Sequence, residues 1–304
     1  MDNITIVENK RKKLATFFWI VFPISVALFV TSFFIINYGN SGNNSLLIAS
    51  FIAIIIGFVG LIISLLIPNK VFNRIIRNTF NEAIAKSVYK NYDYTQKNGL
   101  SFKEINKSLV FKKPDDFATS ETFRFSYKDV EIVSSNYVFT KIEVYTDNHG
   151  THTERKEYPG RYFEFHLERN LGEGLEIIEK RYNSNVFHKS LYKEKVEFES
   201  MEFNKKFRIT TNNKEKAFYF IRPKELLDIV ELEKAFKGNL VMVFNGNYFY
   251  FIIDNNNVNY GVSFLKKFNE NSLEIIKDFY KIPLKIVDKL GLDKDRFNNT
   301  SIDE

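Results

Sequence analysis

LATFFWIVFPISVALFVTSFFII (residues 14–36) and LLIASFIAIIIGFVGLIISLLI (residues 46–67) are two apolar runs without a single charged side chain. As a helix rising about 1.5 Å per residue, each is long enough to cross the roughly 30 Å hydrocarbon core of a bilayer. The segment between them, residues 37–45, is short and uncharged. The spacing predicts a multi-pass membrane anchor of two transmembrane helices, with residues 1–13 and everything after residue 67 on one side. Lys10, Arg11, Lys12 and Lys13 precede the first run, and Lys70, Arg74 and Arg77 follow the second. Short flanks rich in Lys and Arg stay in the cytoplasm. Both termini are therefore expected inside the cell membrane, with the loop outside. A cleaved signal peptide is the rival for the first run. That run is too long for a signal core, and no small-x-small cleavage site follows it.

Charge supports the same division. Of 43 basic and 37 acidic residues, seven basic and two acidic ones fall within residues 1–77. The remaining 36 and 35 nearly cancel. The basic flanks are expected to meet anionic lipid headgroups, at about 1 kcal/mol per side chain near the surface. A near-neutral remainder argues against nucleic acid as a partner. The chain has no cysteine, which excludes disulfides, thiolate metal sites and cysteine nucleophiles.

In the second run Ala49, Ala53 and Gly57 recur every four residues, and Gly60 and Ser64 extend their face. Small residues at this spacing let helix backbones approach closely. They could join copies of the chain into a homo-oligomer. The plainer reading is preferred: the short loop forces the two spans of one hairpin against each other. Neither span holds an ionisable residue, the usual mark of a proton or ion pathway.

After residue 67 the pattern predicts a connector helix over residues 68–100 and an α+β domain over residues 101–292. Residues 293–304 read as a polar tail. From Thr122 the apolar period becomes two, with Phe123, Phe125 and Tyr127 alternating with polar neighbours. Strands are expected over 138–145 and 162–167 about a turn at Asn148-His149-Gly150, and further strands over 175–181 and 217–221. Pro223 suits the first turn of a helix over 224–236. Asn245-Gly246-Asn247 between two aromatic-aliphatic runs is a hairpin signal. A last helix is expected over 272–290.

Glu199-Ser200-Met201-Glu202-Phe203-Asn204-Lys205-Lys206-Phe207, then Ala217-Phe218-Tyr219-Phe220-Ile221-Arg222-Pro223, set out an order of residue types. An acidic residue precedes Phe, a second Phe follows four on, and Ala-x-Tyr and hydrophobic-x-Pro lead into a helix. Together with Tyr158-Pro159-Gly160, this resembles an uncharacterised bacterial family, domain of unknown function 3137 (DUF3137). Arg222 stands where that family more usually has Thr. The resemblance implies a transmembrane pair followed by a cytoplasmic α+β domain. It brings no established activity and no catalytic residues.

Candidate chemistry is sparse. Asp147, His149, His152 and Glu154 could ligate a metal if a turn gathered them, with His149 and His152 the best pair. A solvated hairpin tip is the plainer reading, and no metal or other cofactor is expected. His166 and His188 are isolated histidines. Glu197 and Glu199 would share one face of a strand, near Glu202, and read as a solvated surface rather than an acid–base pair. Gly172-Glu173-Gly174 lacks the Lys-Ser/Thr of a phosphate loop. These features predict a membrane-anchored cytoplasmic interaction or scaffold module with a protein partner. The alternative is a membrane-bound enzyme acting at the inner leaflet on a lipid or peptide.

Overall fold

The computed structural model describes residues 3–38, 44–147, 150–172, 174–181, 187–236, 238–254 and 262–298. The chain divides into two units: Met1–Val88 with Asn259–Tyr280, and Tyr89–Val258 with Lys281–Glu304. The class is α+β, with two long apolar helices followed by an antiparallel sheet and shorter helices.

The first unit is built on α1 (Asn3–Tyr38) and α2 (Asn44–Val88). Both are long and apolar enough to cross a membrane. Their buried small residues recur every seven positions: Ser25 and Ser32 on α1, and Ser50, Gly57 and Ser64 on α2. Seven residues make two turns of about 3.5, so the same face keeps meeting its partner. Ser50 and Ser64 donate their hydroxyls to the Leu46 and Leu61 carbonyls of their own helix, at 2.9 Å each. Gly57 is where the backbones come closest. A Cβ there would lie 2.9 Å from both the Phe29 nitrogen and the Ser25 carbonyl oxygen. Ala53 is half-buried and Ala49 is exposed.

The expected connector helix over 68–100 is not a separate element. α2 runs through Pro68 without a break and stops at Val88. Proline removes one backbone hydrogen bond, and a helix held by packing on both sides tolerates that loss. Beyond Pro68 the buried positions are Phe72, Ile76, Phe80, Asn81, Ile84 and Ala85, a stripe at helical spacing.

The second unit adds, in chain order, β1 (Asp93–Lys97), α3 (Phe102–Ile105), β2 (Asp116–Tyr127), β3 (Val130–Asp147), β4 (Gly150–His166), β5 (Leu175–Glu179), β6 (Glu194–Val196), α4 (Met201–Lys206), β7 (Phe207–Thr211), α5 (Lys214–Phe220), α6 (Pro223–Ala235), β8 (Asn239–Asn245) and β9 (Tyr248–Asp254). α7 (Glu270–Tyr280) belongs to the first unit, and α8 (Ile282–Leu290) and α9 (Asp295–Asn298) to the second. The described strands form one sheet in the order β1-β2-β3-β4-β9-β8-β5-β7-β6, antiparallel throughout.

The central strands are buried on both faces, which is why β8 and β9 read as unbroken apolar runs rather than alternating ones. On one face Tyr137, Phe139, Tyr162, Val243, Tyr250 and Ile252 pack with Leu100, Ile105, Phe111 and Phe187. On the other, Met242, Phe244 and Phe249 meet Ile229 of α6, Leu290 of α8 and Phe297 of α9. The β8–β9 hairpin turns at Gly246, whose φ of 58° is the left-handed region that glycine supplies without strain. The β3–β4 ribbon extends beyond its neighbours. Register pairs run on from Lys141↔Lys156 to Asp147↔Gly150, whereas β2 stops pairing at Thr140 and β9 at Gly160.

Three local expectations are corrected. Residues 217–221 are not a strand: α5 occupies Lys214–Phe220, and the Ile221 N–H donates to the Ala217 carbonyl at 3.2 Å. The buried residues there, Ala217 and Ile221, are four apart, a helical spacing that the aromatic run hides. The helix expected over 272–290 is two, because Pro283 opens α8 and lacks the N–H that continuation would need. The polar tail is not wholly peripheral: α9 places Arg296 and Phe297 in the core.

Gly57→Leu should force α1 and α2 apart. Overpacking at such a contact costs about 1–3 kcal/mol. The midpoint of SDS-induced unfolding of the purified chain in mild detergent should fall accordingly, and an unchanged midpoint would place the closest helix contact elsewhere.

Candidate functional site

One row of residues that crosses the strands carries two buried carboxylates. Register pairs connect Val133 to Glu164, Glu164 to Tyr250, Tyr250 to Val243, Val243 to Glu176 and Glu176 to Thr210. Glu164 and Glu176 therefore share a face, three strand spacings or about 14 Å apart.

Glu176 is fully buried on β5. Its Oε1 lies 3.1 Å from His188 Nε2, and its Oε2 accepts from Ser190 Oγ at 3.1 Å, the Leu191 N–H at 3.3 Å and Thr210 Oγ1 at 3.0 Å. The carboxylate thus pins residues 188–191 onto the sheet. An acid with this many donors is a fixed acceptor with little capacity left for proton transfer. Glu164 accepts from Tyr162 Oη at 2.7 Å and from Lys107 Nζ at 3.4 Å, and Lys107 lies 5.5 Å from the Tyr248 ring centre. Burial, then the Glu164 charge, push the Tyr162 phenol well above its usual value. Burial likewise raises Tyr250. Both tyrosines are held neutral, Tyr162 as a donor to Glu164.

A second polar group sits where α5 meets α6. Arg296 is 5% exposed at its side chain, and its Nη2 donates to Glu225 Oε1 at 2.9 Å and to the Leu290 carbonyl at 2.8 Å. Its Nε and Nη1 have no partner among the described residues. Arg296 and Glu225 line a cavity of ≈ 10 Å³ that is otherwise walled by apolar side chains such as Ile221, Ile229 and Phe244. That is room for about one water-sized ligand. Burial holds the Arg296 guanidinium below its usual value, against the opposing pull of Glu225. Glu225 Oε2 also accepts the Arg222 N–H at 2.8 Å, which fixes the start of α6. At the surface Arg169 Nη1 donates to Tyr219 Oη at 2.5 Å.

The residues singled out in the sequence are placed as follows. His149 lies outside the described residues, and His152 stacks on Tyr145 with ring centres 5.4 Å apart. Glu154 pairs with Lys156 at 3.3 Å. Among the described residues no three His, Asp or Glu side chains gather to hold a metal. His166 lies 3.7 Å from Glu131. Glu197 and Glu199 are exposed in a segment outside any strand, and Glu202 lies on α4, 3.6 Å from Lys234. The strand expected to align these acids ends at Val196. Lys10, Lys12, Lys13, Lys70 and Arg74 are exposed and Arg77 is half-buried. Arg11 is not a free surface base: its Nε and Nη2 bind the Glu8 carboxylate at 2.7 and 2.9 Å. Glu176, Glu164 and Arg296 were missed. For Glu164 and Glu176 the sequence signal was a lone carboxylate inside an apolar run, as in Leu175-Glu176-Ile177-Ile178, whereas Arg296 lies in the charged run Asp293-Lys294-Asp295-Arg296 and had none.

This order of residue types explains itself as packing. Phe203 and Phe207 are buried with ring centres 4.9 Å apart, and Ala217 and Ile221 are buried beside them in sequence order. Gly160 lies under the Tyr137 ring, and a Cβ there would collide with the phenol.

On the projecting ribbon, Glu143 accepts from Lys141 and Lys156 at 2.6 Å each, and these bonds hold its carboxyl at about 2 against an ordinary 4.5. A lowered folded value means that its contribution is full above 4.5 and is lost as pH falls through about 2. Carboxyl NMR should place its midpoint near the lower figure, and Lys156→Ala should move it up. Glu176→Ala should cost about 3–5 kcal/mol, as breaking a buried charged network does. Urea unfolding would measure the loss, and faster proteolysis within 187–193 would show the freed strap. No curated protein and no solved structure matches the chain. The model of the family described as "Protein of unknown function (DUF3137)" matches residues 156–292, the stretch that carries Tyr158-Pro159-Gly160, the Phe203–Phe207 pair and the α5–α6 junction, and over that stretch the chain is similar to this family.

Proposed function

We propose that the chain is a membrane-anchored interaction module: α1 and α2 cross the cell membrane as a hairpin, and the sheet unit works in the cytoplasm by binding a protein partner. The carrying observation is the outer surface of the helix pair. Trp19, Ile24 and Phe34 on α1 and Ile48, Ile55 and Leu66 on α2 are each about half exposed or more. An aliphatic surface of this extent needs a cover, and lipid is the cover that fits two helices of this length. The exposed bases Lys10, Lys12, Lys13, Lys70 and Arg74 flank it at one end and support cytoplasmic termini.

Binding is favoured over chemistry by how the buried carboxylates are used. Glu164, Glu176, Glu179, Glu225 and Glu233 each hold a neighbouring segment by hydrogen bonds or ion pairs. The β3–β4 ribbon offers the partner a surface, with Ile142 and Val144 exposed on one face and the Lys141–Glu143–Lys156 ladder on the other. A cytoplasmic reporter fused after Glu304 should be active, and a tag inserted at Gly42 should be reachable from outside intact cells. The opposite pattern would reverse the orientation. Protein crosslinked to the chain in whole cells should diminish with Val144→Asp; an unchanged profile would remove the ribbon as the binding surface.

A further inference from the structure

The segment 262–268 returns to the base of the helix pair and is fastened there at two points. At the first, the Phe264 carbonyl accepts from Arg11 Nη1 at 2.9 Å, and the Phe264 ring meets Phe18 edge-on with centres 5.7 Å apart. At the second, the Phe268 N–H donates to Glu8 Oε2 at 2.8 Å, and its ring packs on Phe72 and Phe80 at 6.2 and 5.6 Å. Between the two points the chain makes a tight turn. The Lys266 N–H donates to the Ser263 carbonyl and the Leu265 N–H to Ser263 Oγ, both at 3.2 Å. Leu265, Lys266 and Lys267 project from it and are exposed, Leu265 by 46%.

The height of this turn along α1 matters. Phe18 lies five residues beyond Lys13, the last charge before the apolar run, which is about 7.5 Å along the helix axis. Arg11 lies just before that boundary. The turn therefore straddles the level at which α1 changes from charged to apolar. It presents a leucine and two lysines there, beside the exposed Lys10, Lys12, Lys13, Lys70 and Arg74 of the same unit. We propose that the turn at residues 263–267 is a second membrane-contact element, with Leu265 inserted at the top of the acyl layer and Lys266 and Lys267 on the phosphates of anionic phospholipid. The inference rests on the membrane reading of α1 and α2. Lipid is the occupant because the turn carries positive charge continuous with the basic flanks, at the depth of a side chain inside the apolar run. Arg11 serves this contact indirectly, by holding the turn in place.

The chain's lack of cysteine makes the test direct. Leu265→Cys in the full chain, labelled with an environment-sensitive nitrobenzoxadiazole dye, is reconstituted into phosphatidylcholine vesicles with or without phosphatidylglycerol. Ile24→Cys, exposed on α1, serves as the reference. The dye at 265 should shift to the blue, lose quenching by aqueous iodide and gain quenching by lipid brominated near the headgroup. The shift should grow with phosphatidylglycerol, and Lys266→Gln with Lys267→Gln should abolish that growth. The dye at 24 should be quenched by deeply brominated lipid. If 24 is quenched by lipid and 265 stays open to iodide, the turn sits in water and the proposal fails with the anchor intact. A dye at 265 shielded from iodide but blind to brominated lipid is covered by protein, which also overturns it. A shift indifferent to phosphatidylglycerol overturns the headgroup contact. Neither dye sensing lipid would overturn the membrane reading itself.

Discussion

Burying a sheet on both faces makes every unpartnered polar group costly, and this constraint organises the larger unit. Several buried charges on its strands and helices fasten covering segments. Glu176 holds the 188–191 strap, Glu164 holds Lys107 and Tyr162, and Glu225 holds α9 through Arg296. An unmade hydrogen bond to a buried group costs about 1–3 kcal/mol, more when the group is charged. Each carboxylate therefore selects one position for the segment that satisfies it. Apolar burial alone would let those segments slide.

The same logic at smaller scale holds the helix unit. Its long contact is made of small side chains whose hydroxyls bond within their own helix, so the seam demands shape rather than polar pairing. Polar pairing is concentrated at one end, in Glu8 and Arg11. Arg11 first, and the Phe268 N–H after it, keep the Glu8 carboxyl below its usual range. That lowered value marks a carboxylate stabilised as an anion, which is what a latch between distant parts of the chain requires.

Where local chemistry decides local structure, the sequence was readable. The Asn245-Gly246-Asn247 turn, Pro223 at the head of α6 and the alternation at Phe123 and Phe125 each carry their own cause. So do the two apolar runs. Elements decided by long-range packing were misread. The aromatic run at 217–221 looks like a strand because aromatics favour strands, but packing buries Ala217 and Ile221 and exposes Phe218 and Tyr219. The small residues of α2 were noticed at a spacing of four, whereas the buried ones recur at seven because a partner helix selects them. The polar hubs were hidden for a related reason. A lone Glu in an apolar strand looks the same whether it faces water or four donors, and only the fold brings Thr210 and Ser190 to Glu176. Arg11 reads as one of its basic neighbours although Glu8, the carboxylate it binds, is one helical turn away, and its second partner, the Phe264 carbonyl, lies 253 residues on.

That separation bears on how the protein is made. The bonds from Arg11 to Phe264 and from Phe268 to Glu8 span 253 and 260 residues. At a synthesis rate of about 5–20 residues per second, the helix pair, which ends at Val88, waits roughly 9–36 s for Phe268 to complete its base. Through that interval Phe72 and Phe80 lack Phe268, and Glu8 has only Arg11. The helix pair thus precedes the sheet unit in the chain but is closed only after most of that unit has been made. A chain that stops before Phe264 lacks both bonds, so its helix pair keeps an unfinished base.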